Sequence, residues 1–228
     1  MSVFFRRRWY VSVLDDIFAN NSWETIIAAC QSGSVPDTWI VGNSKTMTIN
    51  GTSYQIDIIG KNHDTYTAGG TAPLTFQLHD CYGTKYAMNS SDTNSGGWTN
   101  CAMRKTHLPA ILKKMPSEVR SAIREVNKLT SAGSGSSTIN TTANKLFLLS
   151  EIEIFGRTTY SVSGEGTQYA YYKAGNSKVK NESGSANSWW ERSPYDSNST
   201  HFCSVDSNGN ADGSPASRSY GVAFGFCF

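Results

Sequence analysis

The side chains best suited to acid–base, nucleophilic or metal chemistry are spread thinly along this 228-residue chain. They are His63, His79, His107, His201, Cys30, Cys81, Cys101, Cys203 and Cys227. Only His79-Asp80-Cys81 sets possible ligands side by side, and consecutive residues of a strand point to opposite faces, so they cannot easily share one metal. Spacing alone assembles no Ser/His/Asp or Cys/His set. The sequence therefore predicts no metal site, no cofactor and no enzyme, and it gives the histidines structural or surface roles.

One acidic stretch is similar to a calcium-binding loop. Asp206-Ser207-Asn208-Gly209-Asn210-Ala211-Asp212 carries oxygen side chains at every second position. The bidentate Glu that such loops need downstream is missing, and Asn208-Gly209 suits a hairpin turn. We therefore expect a turn here, with calcium binding as the alternative, and no calcium requirement for folding.

Two further stretches could serve a catalytic or cofactor site. Glu191-Arg192 could be an active-site charge pair, but beside Trp189 and Trp190 we expect a partly buried structural ion pair or hydrogen-bonding node. Gly164-Glu165-Gly166 lacks the third glycine and the preceding strand of a dinucleotide-binding loop. Neither stretch predicts a reaction.

The remaining chemical signal is a polar stretch over residues 181–220, which contains 11 Ser, 5 Asn and 1 Thr. Binding loops favour Tyr, Ser, Asn and Gly, because Tyr supplies rigid amphipathic area and the others supply adaptable hydrogen bonds. The candidate ligand-binding residues are Tyr195, Asp196, Asn198, Thr200, His201, Asn208, Asn210, Asp212, Ser217, Ser219 and Tyr220. On composition alone, the alternative is a merely soluble loop.

Charge and hydropathy exclude several classes of protein. Lys and Arg number 20 and Asp and Glu number 18, so the net charge of +2 gives no reason to expect a nucleic-acid partner. No apolar run approaches the roughly 20 residues of a membrane helix, so membrane insertion is not expected. In residues 1–8 the arginines follow the apolar residues, so no signal peptide is predicted. The odd cysteine count without a CxxC pair favours synthesis in a reducing compartment.

The elements that must position the polar stretch follow an α+β pattern. Apolar residues alternate on both sides of Asn50-Gly51, which predicts a hairpin over residues 46–58, and residues 74–78 alternate again. Two helices are expected, the first ended by Pro116 and the second capped by Ser117 and carrying Val126 on its apolar face. Residues 131–142 are expected to be a loop, and the apolar residues 145–155 a buried strand.

The N-terminal segment is expected to attach the protein to a partner, and hydrophobic residues near the C-terminus are expected to hold the polar stretch on the core. Residues 1–40 predict a short helical attachment segment, in which Asn21 caps a helix and Gly33 ends it. Residues 41–228 form the main domain, where the polar stretch lies between two hydrophobic anchors. The scaffold residues of these anchors are Trp189, Trp190, Glu191, Arg192, Phe224 and Phe226.

Three motifs make the chain similar to a known group. They are Ser95-Gly96-Gly97-Trp98 followed by Met103-Arg104, the apolar residues 145–156, and Trp189-Trp190-Glu191-Arg192-Ser193-Pro194. Over about residues 40–228 they resemble an uncharacterised bacterial and phage domain family, regarded as C-type-lectin-like and related to the formylglycine-generating-enzyme fold. The resemblance implies an α+β, C-type-lectin-like fold with a short N-terminal helical segment. Cys203 and Cys227 do not match the catalytic cysteine pair of those enzymes, so a copper-dependent oxidase of that type is the least favoured alternative.

The end of the chain resembles the variable proteins of diversity-generating retroelements, in particular a version found in phages and prophages of gut bacteria. In that group a reverse transcriptase copies a template with errors at adenines and rewrites the 3′ end of the target gene. Residues 195–220 are rich in the residue types that such errors produce, whereas Trp189-Trp190 and Phe224-Gly225-Phe226 are not. The usual Arg-Pro pair of the family ending is replaced here by Ala223-Phe224.

This resemblance implies a phage or prophage tail-associated receptor-binding protein with a variable region at about residues 187–222. Its partner would be a bacterial surface protein or glycan, and the N-terminal segment would attach it to the tail or mediate self-association. It would be made in the bacterial cytoplasm and carried on the virion, with surface display as a further option. The alternative is a fixed bacterial surface adhesin of the same fold.

Overall fold

A computed structural model describes residues 14–228 as short helices and antiparallel strands, which confirms the α+β class. The helices are α1 (Trp23–Ser32), α2 (Gly97–Asn100), α3 (Leu108–Leu112), α4 (Ser117–Ala122), α5 (Glu151–Phe155) and α6 (Ala170–Lys173). The strands are β1 (Ser44–Ile49), β2 (Thr52–Lys61), β3 (Leu74–Leu78), β4 (Val126–Ser131), β5 (Ile139–Asn144), β6 (Lys180–Glu182), β7 (Ser185–Asn187), β8 (Trp189–Pro194), β9 (His201–Val205), β10 (Ala211–Pro215) and β11 (Gly225–Cys227). In this part of the chain no helix is both long and apolar enough to cross a membrane. The expectation for residues 1–8 lies outside the described residues.

The first sheet has four antiparallel strands in the order β1-β2-β3-β11. β1 and β2 form the expected hairpin, because Asn50 and Gly51 adopt the φ angles of 51° and 80° that a tight two-residue turn requires. β3 is buried along its whole length, and Phe76 pairs with Phe226 of β11. The strand that follows the polar stretch therefore completes a sheet that begins before it.

The second sheet carries the polar stretch on strands β8, β9 and β10, in the order β10-β9-β8. Every residue of β8 is buried. The scaffold residues Trp189, Trp190, Glu191, Arg192, Phe224 and Phe226 are all completely buried. The two hydrophobic anchors, one within the polar stretch at residues 189–192 and one after it at residues 224–226, are thus part of the core.

Residues 14–40 pack onto the same core as the main domain. The Trp23 ring lies edge-on to the rings of Phe76 and Phe228, with centroid distances of 6.0 and 6.1 Å. Phe18 and Trp39 are almost fully buried. The expected boundary at residue 40 therefore does not separate two hydrophobic cores, and a role of residues 1–40 in attachment stays a prediction.

The start of α1 differs from the predicted capping box. Ser22, not Asn21, caps the helix by accepting a hydrogen bond from the Thr25 N–H at 3.1 Å. Asn21 is buried and instead bonds to the main chain of Asp15, which fixes the turn before the helix. At the other end, Gly33 stops α1 in the left-handed conformation, as predicted.

The expected strand over residues 145–155 is wrong, because residues 145–150 form only an isolated bridge between Phe147 and Gly225 and a helix follows them. Ser150 and Glu153 form a reciprocal capping box, in which each side chain accepts a hydrogen bond from the other residue's main-chain N–H. This satisfies two N–H groups that would otherwise lack partners and starts α5 at Glu151.

Three boundaries between residues 116 and 142 also differ from the prediction. Pro116 occupies the position before α4, so Ser117 begins the helix rather than capping it. α4 ends at Ala122, and Val126 belongs to β4 instead of the helix. The expected loop is partly strand, because β5 begins at Ile139 and pairs with β4.

A buried ion network joins β8 and β4 to α5. Arg192 donates to the Glu153 carboxylate at 2.5 and 2.9 Å, so its partner is Glu153 rather than the neighbouring Glu191. Lys128 contacts the same carboxylate at 3.2 Å and Asp64 at 2.5 Å. Tyr169 donates to Asp64 at 2.8 Å. Each buried charge faces an opposite charge, as buried ions require.

Candidate binding surface

The predicted ligand-binding residues lie on the turns around the β9–β10 hairpin. Residues 195–200 connect β8 to β9, and residues 216–220 follow β10. The two segments lie side by side, because His201 pairs with Pro215 and the Ala216 N–H donates to the Thr200 carbonyl at 2.9 Å. We call residues 195–201 and 212–220 the hairpin surface.

Most of the predicted residues on the hairpin surface are accessible. The exposed ones are Asp196, Asp212, Ser217 and Ser219. The half-buried ones are Tyr195, Asn198, Thr200, His201 and Tyr220. Tyrosines, small polar groups and carboxylates can stack on a ligand and exchange hydrogen bonds with it, so this surface suits recognition.

Asn208 and Asn210 lie at the opposite end of the hairpin. The Asp206 carboxylate accepts hydrogen bonds from their main-chain N–H groups at 2.9 and 2.8 Å, which fixes the predicted turn. Strand β9 separates this turn from His201 and spans roughly 15 Å, at about 3.3 Å per residue. The structure therefore separates Asn208 and Asn210 from the predicted residues of the turns over 195–201 and 216–220, with Asp212 on β10 between the two groups.

A buried asparagine outside the predicted set holds the turn over residues 195–200. The Asn94 side-chain amide donates to the carbonyl oxygens of Tyr195, Asn198 and His201 at 3.0, 3.0 and 2.8 Å. Its Oδ1 accepts a hydrogen bond from the Ser134 N–H at 2.8 Å. All four partners of the Asn94 side chain are main-chain groups. The hydrogen bonds between Asn94 and this turn are therefore independent of which side chains the turn carries.

Tyr195 is wedged between a second tyrosine and a glycine. Its ring stacks on Tyr160, with centroids 4.9 Å apart, and also covers Gly213, where a Cβ atom would overlap the ring. The main chain of Tyr160 is held by two hydrogen bonds. Its N–H donates to the Glu151 carboxylate at 3.0 Å, and its carbonyl accepts from the Asp196 N–H at 2.8 Å. The Tyr195 ring is thus fixed between the loop after α5 and strand β10.

Tyr220 connects the hairpin surface to the core. Its ring packs on the buried Trp190, with centroids 4.9 Å apart. Its hydroxyl accepts a hydrogen bond from Ser214 at 2.7 Å, and its main chain pairs with Tyr86. The exposed Arg218 reaches the same hydroxyl at 3.4 Å. Tyr220 therefore presents a partly exposed ring whose position is set by core contacts.

Asp92 is a third exposed carboxylate, in addition to Asp196 and Asp212, and contacts the hairpin surface. Its Oδ1 accepts a hydrogen bond from the Ser217 N–H at 3.0 Å. Hydrogen bonds from Ser217 lower the pKa of Asp92, so it is ionised at neutral pH. The carboxylates outnumber the single guanidinium of Arg218, and the surface is locally acidic.

Carboxyl groups are also buried beneath the hairpin surface. Glu165 accepts hydrogen bonds from the Ser131 N–H at 2.7 Å and from the Ser193 hydroxyl, and burial raises its pKa to about 7. Both oxygens of Glu191 lack a hydrogen-bond partner within the described residues. Burial, together with Glu151 and Glu165, raises the pKa of Glu191 well above its usual range. The core around Glu191 therefore disfavours its ionised form.

The histidines are dispersed, as their spacing suggests. His79 Nδ1 lies 2.7 Å from Asp57 Oδ2, and this hydrogen bond raises the pKa of His79. His63 stacks on Tyr169, and His107 stacks on Tyr86. Over residues 14–228 no group of three or more His, Cys, Asp or Glu side chains is arranged to hold a metal ion.

Four residues of this region are absent from the predicted set. Asn94, Asp92 and Tyr160 reach the surface through contacts with residues far along the sequence, so no local pattern marks them. Arg218 lies within the polar stretch, where its position between Ser217 and Ser219 is a usable signal.

A family model described as a domain of unknown function (DUF6273) matches residues 74–227. This range contains β3, the hairpin surface and β11. No curated protein and no solved structure matches the chain.

Proposed function

We propose a ligand-binding function for this chain, which belongs to the DUF6273 family of domains of unknown function. In this proposal the chain has a C-type-lectin-like fold and is a receptor-binding protein associated with a phage or prophage tail. The hairpin surface contacts a bacterial surface protein or glycan. A retroelement rewrites the side chains of that surface.

The observation that carries the proposal is the way in which Asn94 holds the turn over residues 195–200. Its amide donates to three carbonyl oxygens, and every residue type has a carbonyl. Asp196 and Ser199 are exposed on the same turn. A turn anchored in this way keeps its main-chain position when its side chains change, which is what a diversified surface needs.

The sheet topology supports the C-type-lectin-like fold. β11 pairs with β3, and the second sheet is inserted in the chain between these two partners. The polar stretch therefore leaves the core after β3 and the chain returns to it at β11. Substitutions on exposed parts of such an excursion cost little folding free energy, usually within about 0.5 kcal/mol.

The composition of the hairpin surface supports recognition rather than mere solubility. Tyr195 and Tyr220 are partly exposed aromatic rings held by stacking on Tyr160 and Trp190, and Tyr is among the residues that dominate binding energy. Fixed rings lose little conformational entropy when a ligand binds. A merely soluble loop has no need for aromatic rings held in this way.

The DNA around the gene gives the first test. A near-copy of the coding end should lie close by and should differ from the gene mainly where the copy has adenine. A reverse-transcriptase gene should lie next to it. Differences should fall in codons of the hairpin surface and spare those of Trp189, Trp190, Phe224 and Phe226.

A loop exchange between two natural variants gives the second test. Residues 195–220 of one variant are placed in the other, and binding of the labelled proteins to intact cells of a panel of gut bacteria is measured by flow cytometry. We expect the cell preference to follow the exchanged residues, with little change in melting temperature. Absence of both template and reverse transcriptase, together with unchanged binding, would favour the fixed adhesin.

A further inference from the structure

A basic groove lies away from the hairpin surface, at α3, the start of β4 and the end of β5. It has two adjoining parts of about 320 and 500 Å³, and Glu125 and Lys145 line both. The other cations in its lining are Arg104, Lys105 and Arg124. None of these residues belongs to the polar stretch, so the groove is independent of the proposed function.

The cations of the basic groove are positioned by neutral groups. Arg104 donates to three uncharged oxygens at 2.9, 3.1 and 3.2 Å. Lys105 donates to the Asn100 side-chain oxygen at 2.7 Å. The Arg124 guanidinium lies 3.7 Å above the Tyr66 ring. These contacts orient the cations and leave their positive charge uncompensated.

Within residues 14–228, none of Arg104, Lys105, Arg124 and Lys145 forms an ion pair with a carboxylate. Glu125 is the sole acidic residue of the groove lining, against four cations. Over residues 104–145 the sequence has eight Lys or Arg and two Asp or Glu, although the whole chain is nearly neutral. The groove therefore attracts a negatively charged ligand.

The floor of the basic groove is apolar. Leu108, Pro109, Leu112 and Leu146 line its first part beneath the cations. Leu108 and Leu146 are nearly buried, whereas Pro109 is exposed. An inorganic anion or a phosphate polymer would contact the cations and leave this floor unused. A ligand with both carboxylates and apolar side chains would use the whole groove.

We infer that the basic groove binds an acidic, partly apolar peptide segment of a partner protein. The carboxylates of the segment lie against Arg104, Lys105, Arg124 and Lys145, and its apolar side chains lie on Pro109 and Leu112. The N-terminus of this chain does not fit that description, because residues 6–8 are all arginine and would be repelled. The occupant is a different polypeptide.

Fluorescence anisotropy on the full chain tests this inference. The probe is a short labelled peptide in which Glu alternates with Leu and Ala, and the comparison probes are the same peptide with Gln for Glu and a labelled polyphosphate. The test variant is Arg124→Glu with Lys145→Glu. A second variant, Lys105→Glu with Lys145→Glu, serves if loss of the Arg124–Tyr66 contact unfolds the first. The matched control is Arg157→Glu with Lys173→Glu, since both residues are exposed outside the groove.

We expect the Glu peptide to bind and the Gln peptide to bind at least roughly tenfold more weakly, which is the size of a few surface charge contacts. The test variant should weaken binding of the Glu peptide by roughly tenfold, whereas the control should bind like the unaltered protein. Added salt should weaken the interaction. Equal binding by test and control variants, or tighter binding of polyphosphate than of the Glu peptide, would overturn the inference.

Discussion

The side-chain amide of Asn94 donates a hydrogen bond of 2.8 Å to the carbonyl oxygen of His201, across 107 residues of sequence. At the same position, the half-buried His201 imidazole lies edge-on to the Tyr195 ring, and its Nδ1 lies 2.7 Å from the Thr200 hydroxyl. One residue is therefore fixed by its main chain and displays its side chain. This division between anchoring and display is the central property of the hairpin surface.

Replacing Asn94 should loosen the turn that it holds. Asn94→Ala removes the donors for three carbonyl groups, so we expect the free energy of unfolding to fall by about 2–4 kcal/mol. Asn94→Asp has nearly the same shape but brings a negative acceptor to the three carbonyls, so its loss should be at least as large. Urea unfolding measures both.

The isosteric control for Asn94 is Asn140→Asp, on β5. Its effect should stay within about 0.5 kcal/mol, as for an ordinary surface substitution. If Asn94→Asp is no more damaging than this control, the amide does not anchor the turn.

Trp190 should be far more important for stability than Asn208. Trp190 is completely buried, packs on Tyr220 and donates to the Tyr86 carbonyl at 2.8 Å. Trp190→Ala should cost roughly 3–5 kcal/mol, because it leaves a large cavity. Asn208→Ala, on the exposed turn, should change stability by less than about 0.5 kcal/mol. Equal shifts in melting temperature would argue against the hydrophobic anchor.

Gly213 and Tyr195 should behave as a coupled pair. A Cβ atom at Gly213 would overlap the Tyr195 ring, so Gly213→Ala should cost about 1–3 kcal/mol. In a Tyr195→Ser background the ring is gone, and the same substitution should be much less costly. A double-mutant cycle measured by thermal unfolding gives the coupling, which we expect to exceed about 1 kcal/mol. Additive effects would show that the ring does not pack on Gly213.

Stability should fall as the pH rises toward neutrality because of Glu165. Its ordinary pKa is 4.5 and burial raises the pKa to about 7, so between these values the folded state holds a proton that the unfolded state has lost. The contribution of this group to the free energy of unfolding therefore decreases by about 3 kcal/mol from pH 4.5 to 7 and levels off above 7.

Glu165→Gln is the matched variant for this pH effect, because a glutamine side chain cannot ionise and its oxygen can still accept from the Ser131 N–H. Urea unfolding at pH 5 and above pH 7 should show a smaller pH dependence for Glu165→Gln than for the unaltered chain. Glu165→Gln also removes a charge that raises the pKa of Glu191, so the comparison reports the coupled titration of these two groups. The same pH dependence in both would contradict the raised pKa.

Calcium should not be required for folding. The Asp206 carboxylate already accepts two main-chain N–H groups and the Asn210 side-chain amide, so the turn supplies its own partners. The melting temperature should be the same in excess chelator and in millimolar calcium. A fall of many degrees on adding the chelator would show that the turn binds the ion after all.

The elements that the sequence predicts well are those specified by neighbouring residues. Asn50-Gly51 sets a turn by its own φ preferences, and Gly33 stops α1 for the same reason. The helix α5 carries a local signal too, since Ser150 and Glu153 have the spacing of a capping box, but the apolar run around them favoured a strand.

The residue types of the candidate site can be predicted from the sequence, but the spatial grouping of those residues cannot. The residue types of the polar stretch indicate an exposed, recognition-competent surface, and most of them are accessible. Their grouping depends on hairpin register, which separates Asn208 from His201 by the length of a strand. The supports Asn94 and Tyr160 come from distant segments, and only folding brings them to the turn.

The position of β11 makes folding depend on translation of the chain beyond the hairpin surface. Phe226 pairs with Phe76, and Gly225 bridges Phe147, so the sheet and its core are incomplete until the residues after the hairpin surface have been translated. A chain with a shifted reading frame or a stop codon between β10 and β11 would lose this strand. Such a product would leave the first sheet and its core incomplete, instead of forming a stable protein with a defective surface. Intact folding thus requires that the reading frame is kept through the hairpin surface.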